Sequence, residues 1–177
     1  GIDQDCDGVA DNDVLQAPVF SGSRRIPPTG TQGTLNLPLL VAQDGVITDV
    51  NFGLDLVHTF DEDLDITLTS PSGTLVELSS DNGGAGDDYT DTLFDDQAAT
   101  SITSGSPPFT GTFQPEGSLA DLNGEGAAGT WNLQIVDDTG GDIGELFSAT
   151  LFLSSDGGAD VDVDGFTACE ECDDGDP

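Results

Sequence analysis

No lysine occurs in this chain of 177 residues, and its whole cationic complement is the adjacent pair Arg24 and Arg25, against 35 aspartates and glutamates. Phosphate binding depends on Lys and Arg, so a formal charge of −33 excludes nucleic acid as a partner. Histidine occurs once, at His58, so any Ser-His-Asp triad would have to be built around it. The sequence has no GxSxG elbow to hold a nucleophile on a strained turn, and the chain reads as non-enzymatic. No apolar run is long enough to span a bilayer, so membrane insertion is not expected. Nor does any stretch carry sustained helical periodicity with caps. What remains is an all-β chain dominated by Gly, Asp, Thr and Ser.

Cysteine is scarce and odd in number, with Cys6, Cys169 and Cys172. In an extracellular chain this leaves a partner outside the segment, a free thiol or an intermolecular bridge. Cys169 and Cys172 have CxxC spacing, but acidic surroundings disfavour the thiolate and argue against a redox role. A soft-metal site is the alternative.

The organising stretch is Val50 to Ser80. Val50, Phe52, Leu54 and Leu56, then Leu64, Ile66 and Leu68, then Val76 and Leu78 alternate with polar residues, cut by turn chemistry at HTFDED and SPSG. Three strands of one meander are expected. Leu35, Leu37 and Leu39 alternate in an earlier strand, and Trp131, Leu133 and Ile135 in a later, central one. A closing strand is expected to bury Phe147, Ala149, Leu151 and Leu153. Phe109, Phe113 and Leu119 are expected to pin the polar connection over 98–130 to the sandwich. Arg24 and Arg25 are read as surface cations gathering carboxylates, with a dibasic cleavage site as the alternative.

The acidic residues are clustered. A solvated surface is the bland reading; the sharper one is that the clusters bind divalent cations, whose ligands are hard carboxylate oxygens. At the N-terminus, Asp3, Asp5 and Asp7 alternate before Gly8, the first half of a calcium loop. Val14 stands where the bidentate acid belongs, so Asp11 or Asp13 would have to substitute. Segment 80–97 reads as a glycine-rich loop carrying Asp81, Asp87, Asp88, Asp91, Asp95 and Asp96, a candidate calcium site, though Asp95 and Asp96 equally suit bracing of the following turn. At the C-terminus, Asp160, Asp162, Asp164, Gly165 and Glu171 fit D-x-D-x-D-G-x5-E at every ligand position, with Phe166 placed to offer its carbonyl. Flanking apolar helices are missing, which implies an isolated loop.

His58-Thr59-Phe60-Asp61-Glu62-Asp63-Leu64 followed by Ser70-Pro71-Ser72-Gly73-Thr74 resembles the HT-x-x-x-DL and SPSGT signatures of the P domain, the β-sandwich that follows the catalytic module in kexin- and furin-like proteases and in many secreted bacterial proteases. Asp95-Asp96, Pro108 to Gly111, Pro115 to Leu119, Gly129 to Leu133 and Asp142 to Leu146 continue the likeness in order and rough spacing over about residues 14 to 153. Glu62 departs from the usual Gly, and Ala149 from a usual second Trp. The resemblance implies a jelly-roll-like β-sandwich over 14–155 in which His58 is a strand-end histidine hydrogen-bonded within its turn. It also implies calcium held in loops between strands, so that Asp61 and Asp63, or Asp137 and Asp138, face the 80–97 loop.

The flanks resemble halves of the acidic, cysteine-bearing, thrombospondin type 3-like metal-binding repeats of secreted bacterial proteins, with 156–177 as a first half and 1–13 as a second. Gly1 is not a native start, and secretion or cell-surface location follows from composition and resemblance alone. Two functions are therefore expected. One is a non-catalytic calcium-binding module with a structural, adhesive or assembly role, which self-associates into filaments or contacts neighbouring domains. The other is the accessory P domain of a subtilisin-like protease whose catalytic part lies outside this chain.

Overall fold

The computed structural model describes residues 12–15, 18–27 and 32–156, the first four and Asp156 as backbone only. Ten strands fill it: β1 (Asn12–Leu15), β2 (Val19–Ile26), β3 (Gly33–Val41), β4 (Val46–His58), β5 (Leu64–Thr69), β6 (Leu75–Ser80), β7 (Tyr89–Phe94), β8 (Phe109–Phe113), β9 (Gly129–Asp137) and β10 (Gly144–Asp156). They form two facing sheets of an all-β sandwich. One runs β1-β10-β4-β7-β8 with β2 also paired to β10, and the other runs β3-β9-β5-β6.

Alternation decides what lies between the sheets, because successive side chains of a strand point to opposite faces. Leu35, Leu37, Leu39 and Val41 of β3, Trp131, Leu133 and Ile135 of β9, and Leu64, Ile66 and Leu68 of β5 face inward. Val50, Phe52, Leu54 and Leu56 of β4 and Ala149, Leu151 and Leu153 of β10 meet them from the other sheet. Trp131 is fully buried, its indole N–H donating to the Ala127 carbonyl at 3.0 Å, and β9 lies between β3 and β5 as a central strand should. Phe109, Phe113 and Leu119 are buried anchors as expected.

Three expectations are corrected. Val50 to Ser80 is no meander within one sheet: β4 belongs to the six-stranded sheet and β5 with β6 to the other, so the turn at 59–63 crosses the sandwich. Segment 80–97 is not all loop, since β7 lies inside it and pairs with β4 on one side and β8 on the other. Its alternation is hidden by a register break at Asp91, which takes a left-handed backbone with φ 49°. In β10 a bulge between Leu146 and Ser148 turns Leu146 inward and leaves Phe147 37% exposed. Arg24 lies 5.0 Å from the centre of the Phe20 ring and donates to the Ser23 carbonyl at 3.0 Å, so its contacts are an aromatic face and a carbonyl.

The SPSGT signature is a clamp. Ser70 donates its hydroxyl to Glu125 at 2.7 Å, Thr74 donates to the other oxygen of the same carboxylate, and the Thr74 N–H closes the turn on the Ser70 hydroxyl at 3.2 Å. The Thr74 and Ser70 hydroxyls hold the Glu125 carboxyl below its usual range. This ties the β5–β6 hairpin to the segment that enters β9. Glu125→Ala removes both charge-assisted bonds and is expected to lower stability by about 2 to 3 kcal/mol. Thermal unfolding checks this, and an unchanged midpoint would show the clamp to be ornamental.

Candidate metal site at the crossing turn

His58 closes β4, and the chain then crosses to β5 through a 3-10 turn at Asp61–Asp63. Two other segments fold onto this crossing. Asp61 N–H donates to the Gly86 carbonyl at 2.9 Å and Glu62 N–H to that of Gly84 at 3.3 Å, which pins the loop before β7. Asp138 N–H donates to the Asp63 carbonyl at 3.0 Å, and the Thr59 hydroxyl donates to Asp142 at 2.8 Å, which pins the loop between β9 and β10. Close approach requires glycine twice. At Gly83, with φ +96°, a Cβ would lie 2.9 Å from the Asp61 Cβ; at Gly144 it would lie 2.1 Å from the Val57 carbonyl oxygen and 2.6 Å from the His58 ring.

His58 is 1% exposed. Its Nδ1 lies 2.9 Å from the Phe60 carbonyl oxygen and 3.3 Å from the Phe60 nitrogen, and its Nε2 lies 3.4 Å from Asp137 Oδ2. Nδ1 is thus engaged within the turn, as expected of a strand-end histidine, and Nε2 faces the end of β9. Its backbone N–H donates to Asp88 Oδ1 at 3.1 Å.

Three carboxylates are buried here: Asp61 at 0%, Asp137 at 1% and Asp63 at 6% exposure. Asp61 Oδ1 accepts the Asp88 N–H at 3.0 Å and Asp137 Oδ2 faces His58, yet Asp61 Oδ2, Asp63 Oδ2 and Asp137 Oδ1 have no hydrogen-bond partner. An unpaired buried carboxylate oxygen is costly. Burial pushes the Asp61 carboxyl up to about 7, against the Asp88 N–H and aided by the charges of Asp88 and Asp87. Burial, followed by Asp137 and Asp142, raises Asp63. Burial also raises Asp137, opposed by His58. Nearby charges fall into two groups, Asp61 with Asp87 and Asp88, and Asp63 with Asp137, Asp138 and Asp142.

The remaining candidates are dispersed. Asp87 is exposed, and Asp88 is spent on His58 with its backbone at φ 80°. Asp81 is exposed at the end of β6 with φ 53°, and Asp91 faces outward from β7. Asp95 accepts the Gln97 N–H at 2.7 Å, and Asp96 accepts the Leu119 and Ala120 N–H groups and the Ser118 hydroxyl at 2.8 to 3.1 Å, the bracing alternative. Among the described residues, no three acidic, histidine or cysteine side chains already stand in a ready coordination geometry. Each orphaned oxygen is nonetheless buried and unfilled by any protein donor, and carboxylate oxygens are the kind of ligand that a hard cation takes. Asp3, Asp5, Asp7, Asp11, Asp160, Asp162, Asp164, Phe166 and Glu171 lie outside the described residues. Sequence reasoning gave Asp61 only a facing role, because nothing in an exposed-looking DED triplet marks which acid turns inward. The spacing of SPSGT gives no sign of Glu125, more than fifty residues away.

The family model of the proprotein convertase P-domain matches residues 47–153. Two curated relatives, each described as a calcium-dependent protease, come from Nostoc sp. and Trichormus variabilis; each is 26% identical over 137 residues, which is 76% of this chain and 18% of the relative. The crystal structure of a serine protease of Aeromonas sobria matches at TM-score 0.52 and 18% identity over 83% of this chain and 28% of that one. At that identity the last likeness shows the fold alone. The chain spans less than a third of each.

Because the native Asp61 carboxyl keeps its proton up to about pH 7 while an unfolded one releases it near 3.8, the native state binds the extra proton between those values. Metal-free stability therefore falls as pH rises through that window and does not change on Asp61's account outside it. In EDTA, Asp61→Asn is expected to flatten the decline in denaturation midpoint between pH 4 and 7. An unaltered slope would place Asp61 in water.

Proposed function

Since the chain belongs to the proprotein convertase P-domain family, we propose that it is a non-catalytic, calcium-binding β-sandwich module of a longer secreted or cell-surface protein. The observation that carries this reading is the set of orphaned oxygens on Asp61, Asp63 and Asp137 in a chain of charge −33. Carboxylates about 4 Å apart repel by about 1 to 4 kcal/mol per pair, depending on local dielectric. Bound Ca²⁺ would neutralise that repulsion with the oxygen ligands it prefers. Asp63 from the crossing turn and Asp137 from the end of β9 would hold one ion, and Asp61, whose charged neighbours are Asp87 and Asp88, would hold another; the first would tie the crossing turn to β9 and the second would tie it to the loop before β7. The curated relatives described as calcium-dependent proteases support the choice of ion.

Engagement of both His58 nitrogens by Phe60 and Asp137 supports the non-catalytic part. We take 14–155 as the sandwich and 1–13 and 156–177 as acidic calcium-binding half-repeats. β1 pairs with the end of β10, Asn12 opposite Asp156, so both flanks depart from neighbouring points. That favours a structural, adhesive or assembly role in which successive units join end to end through calcium, Cys6 and neighbouring carboxylates. A second reading has one observation in its favour: the matched relatives are proteases in which this module is 18% of the length. There it would be the accessory P domain of a subtilisin-like protease, and a catalytic domain encoded upstream would select this reading.

Thermal unfolding of the full chain in EDTA and in CaCl₂ at fixed ionic strength tests the calcium function. Ion at about a hundredfold above its dissociation constant adds about 2.7 kcal/mol, worth roughly 5 to 10 °C for a domain this size. The gain is expected to vanish in Asp61→Asn/Asp137→Asn and to survive in Asp160→Asn/Asp162→Asn. Equal midpoints in EDTA and calcium would refute it. Pure protein is expected to hydrolyse no peptide substrate; hydrolysis abolished by His58→Ala would refute the non-catalytic reading.

A further inference from the structure

The outward face of the six-stranded sheet carries a groove unrelated to the crossing turn. Along β4, Asp49, Asn51, Gly53 and Asp55 point to this face, with Phe152 of β10 opposite Asn51 and Leu93 of β7 opposite Gly53. Phe152, 42% exposed, leans over Gly53, where a Cβ would lie 3.3 Å from its ring. Two hollows of about 280 and 240 Å³ adjoin, both walled by Phe152 and Leu93. The first holds Asp49 and Asn51; the second holds Gly53, Asp55 and Asp91.

Three features define what fits. The walls are apolar. The ends are anionic, with Asp49 six residues from Asp55, about 20 Å along a strand. Between them Asn51 donates its Nδ2 to Asp49 at 3.2 Å, which fixes the amide and leaves Oδ1 buried with no donor. A ligand matched to these features carries positive charge at both ends and aliphatic stems to lie on Phe152 and Leu93, with a polar group between them opposite Asn51. Arginine and lysine side chains combine those properties, and the Phe152 ring adds an aromatic face for the cation. These 177 residues are poor in them. Its only cations are Arg24 and Arg25 on β2, Arg24 is already seated on Phe20, and a second copy brings a charge of −33.

We propose that this groove docks an extended segment from outside these 177 residues, with basic residues flanking a short apolar-polar alternation. The surface charge speeds encounter, and the hollows at Gly53 and Asn51 set the register. The proposal holds whether or not calcium binds at the crossing turn.

The test is fluorescence anisotropy on the full chain in calcium, with a labelled seven-residue peptide bearing arginine at both ends and valine and threonine alternating between. Binding is expected, weakened at least tenfold in Asp49→Asn/Asp55→Asn and by raised salt, and absent when glutamate replaces both arginines. Gly53→Val and Phe152→Ser keep every charge, so they separate the groove from diffuse attraction; each is expected to weaken binding at least tenfold with the melting midpoint preserved, and a shifted midpoint in one leaves the other to decide. Equal binding by both charge-preserving variants, or no binding at millimolar peptide, would overturn the proposal. So would dimerisation in light scattering that Gly53→Val abolishes.

Discussion

Everything at the functional end of this sandwich depends on one electrostatic constraint: carboxylates are buried in a chain with almost no cations to pair them. With no lysine and both arginines on one exposed strand, the ion pair found by Asp61, Asp63 and Asp137 among the described residues is that of Asp137 with the single histidine. These carboxylates answer the cost of burial in the ways left to them, by holding protons above the usual carboxyl range and by accepting the few N–H groups that reach them.

The fold puts them there because the chain changes sheets at the crossing turn. β4 ends in the six-stranded sheet and β5 starts in the other, so the residues between must pass through the rim of the core. A 3-10 turn makes the passage in three residues, which turns Asp61 and Asp63 inward and Glu62 outward onto Gly84. His58 fills the corner beneath, glycine at 144 lets β10 pass it, and glycine at 83 lets the loop before β7 close on Asp61. Loop, turn and strand end are one packed unit, so neutralising its charge stabilises both sheets together. The Glu125 clamp ties the hairpin of β5 and β6 to the segment that leads into β9, and there two hydroxyl donors do the work of a cation.

Much of the sandwich was legible in the sequence because period-2 alternation is local: Leu35 to Leu39, Leu64 to Leu68 and Trp131 to Ile135 all face the core as their spacing predicts. What failed was pairing and irregularity. Nothing in Val50 to Ser80 says that β4 and β5 belong to different sheets, since both have the same pattern. β7 was hidden by a left-handed Asp91, and the inward face of β10 was displaced by one bulge that exchanges Phe147 for Leu146. At the site, composition marked the acidic loops but could not rank their members. Asp95 and Asp96 look like ligands and act as braces, whereas Asp61, at the head of an acidic triplet, is the most deeply buried. Burial depends on the crossing, which only the assembled fold defines.

The most direct measurement is an anomalous difference map from crystals of the full chain grown in calcium, collected where calcium scatters anomalously. A peak in contact with Asp61 Oδ2, Asp63 Oδ2 or Asp137 Oδ1 is expected. A map in which those three oxygens are met only by water or protein donors, with calcium bound elsewhere, would contradict the reading.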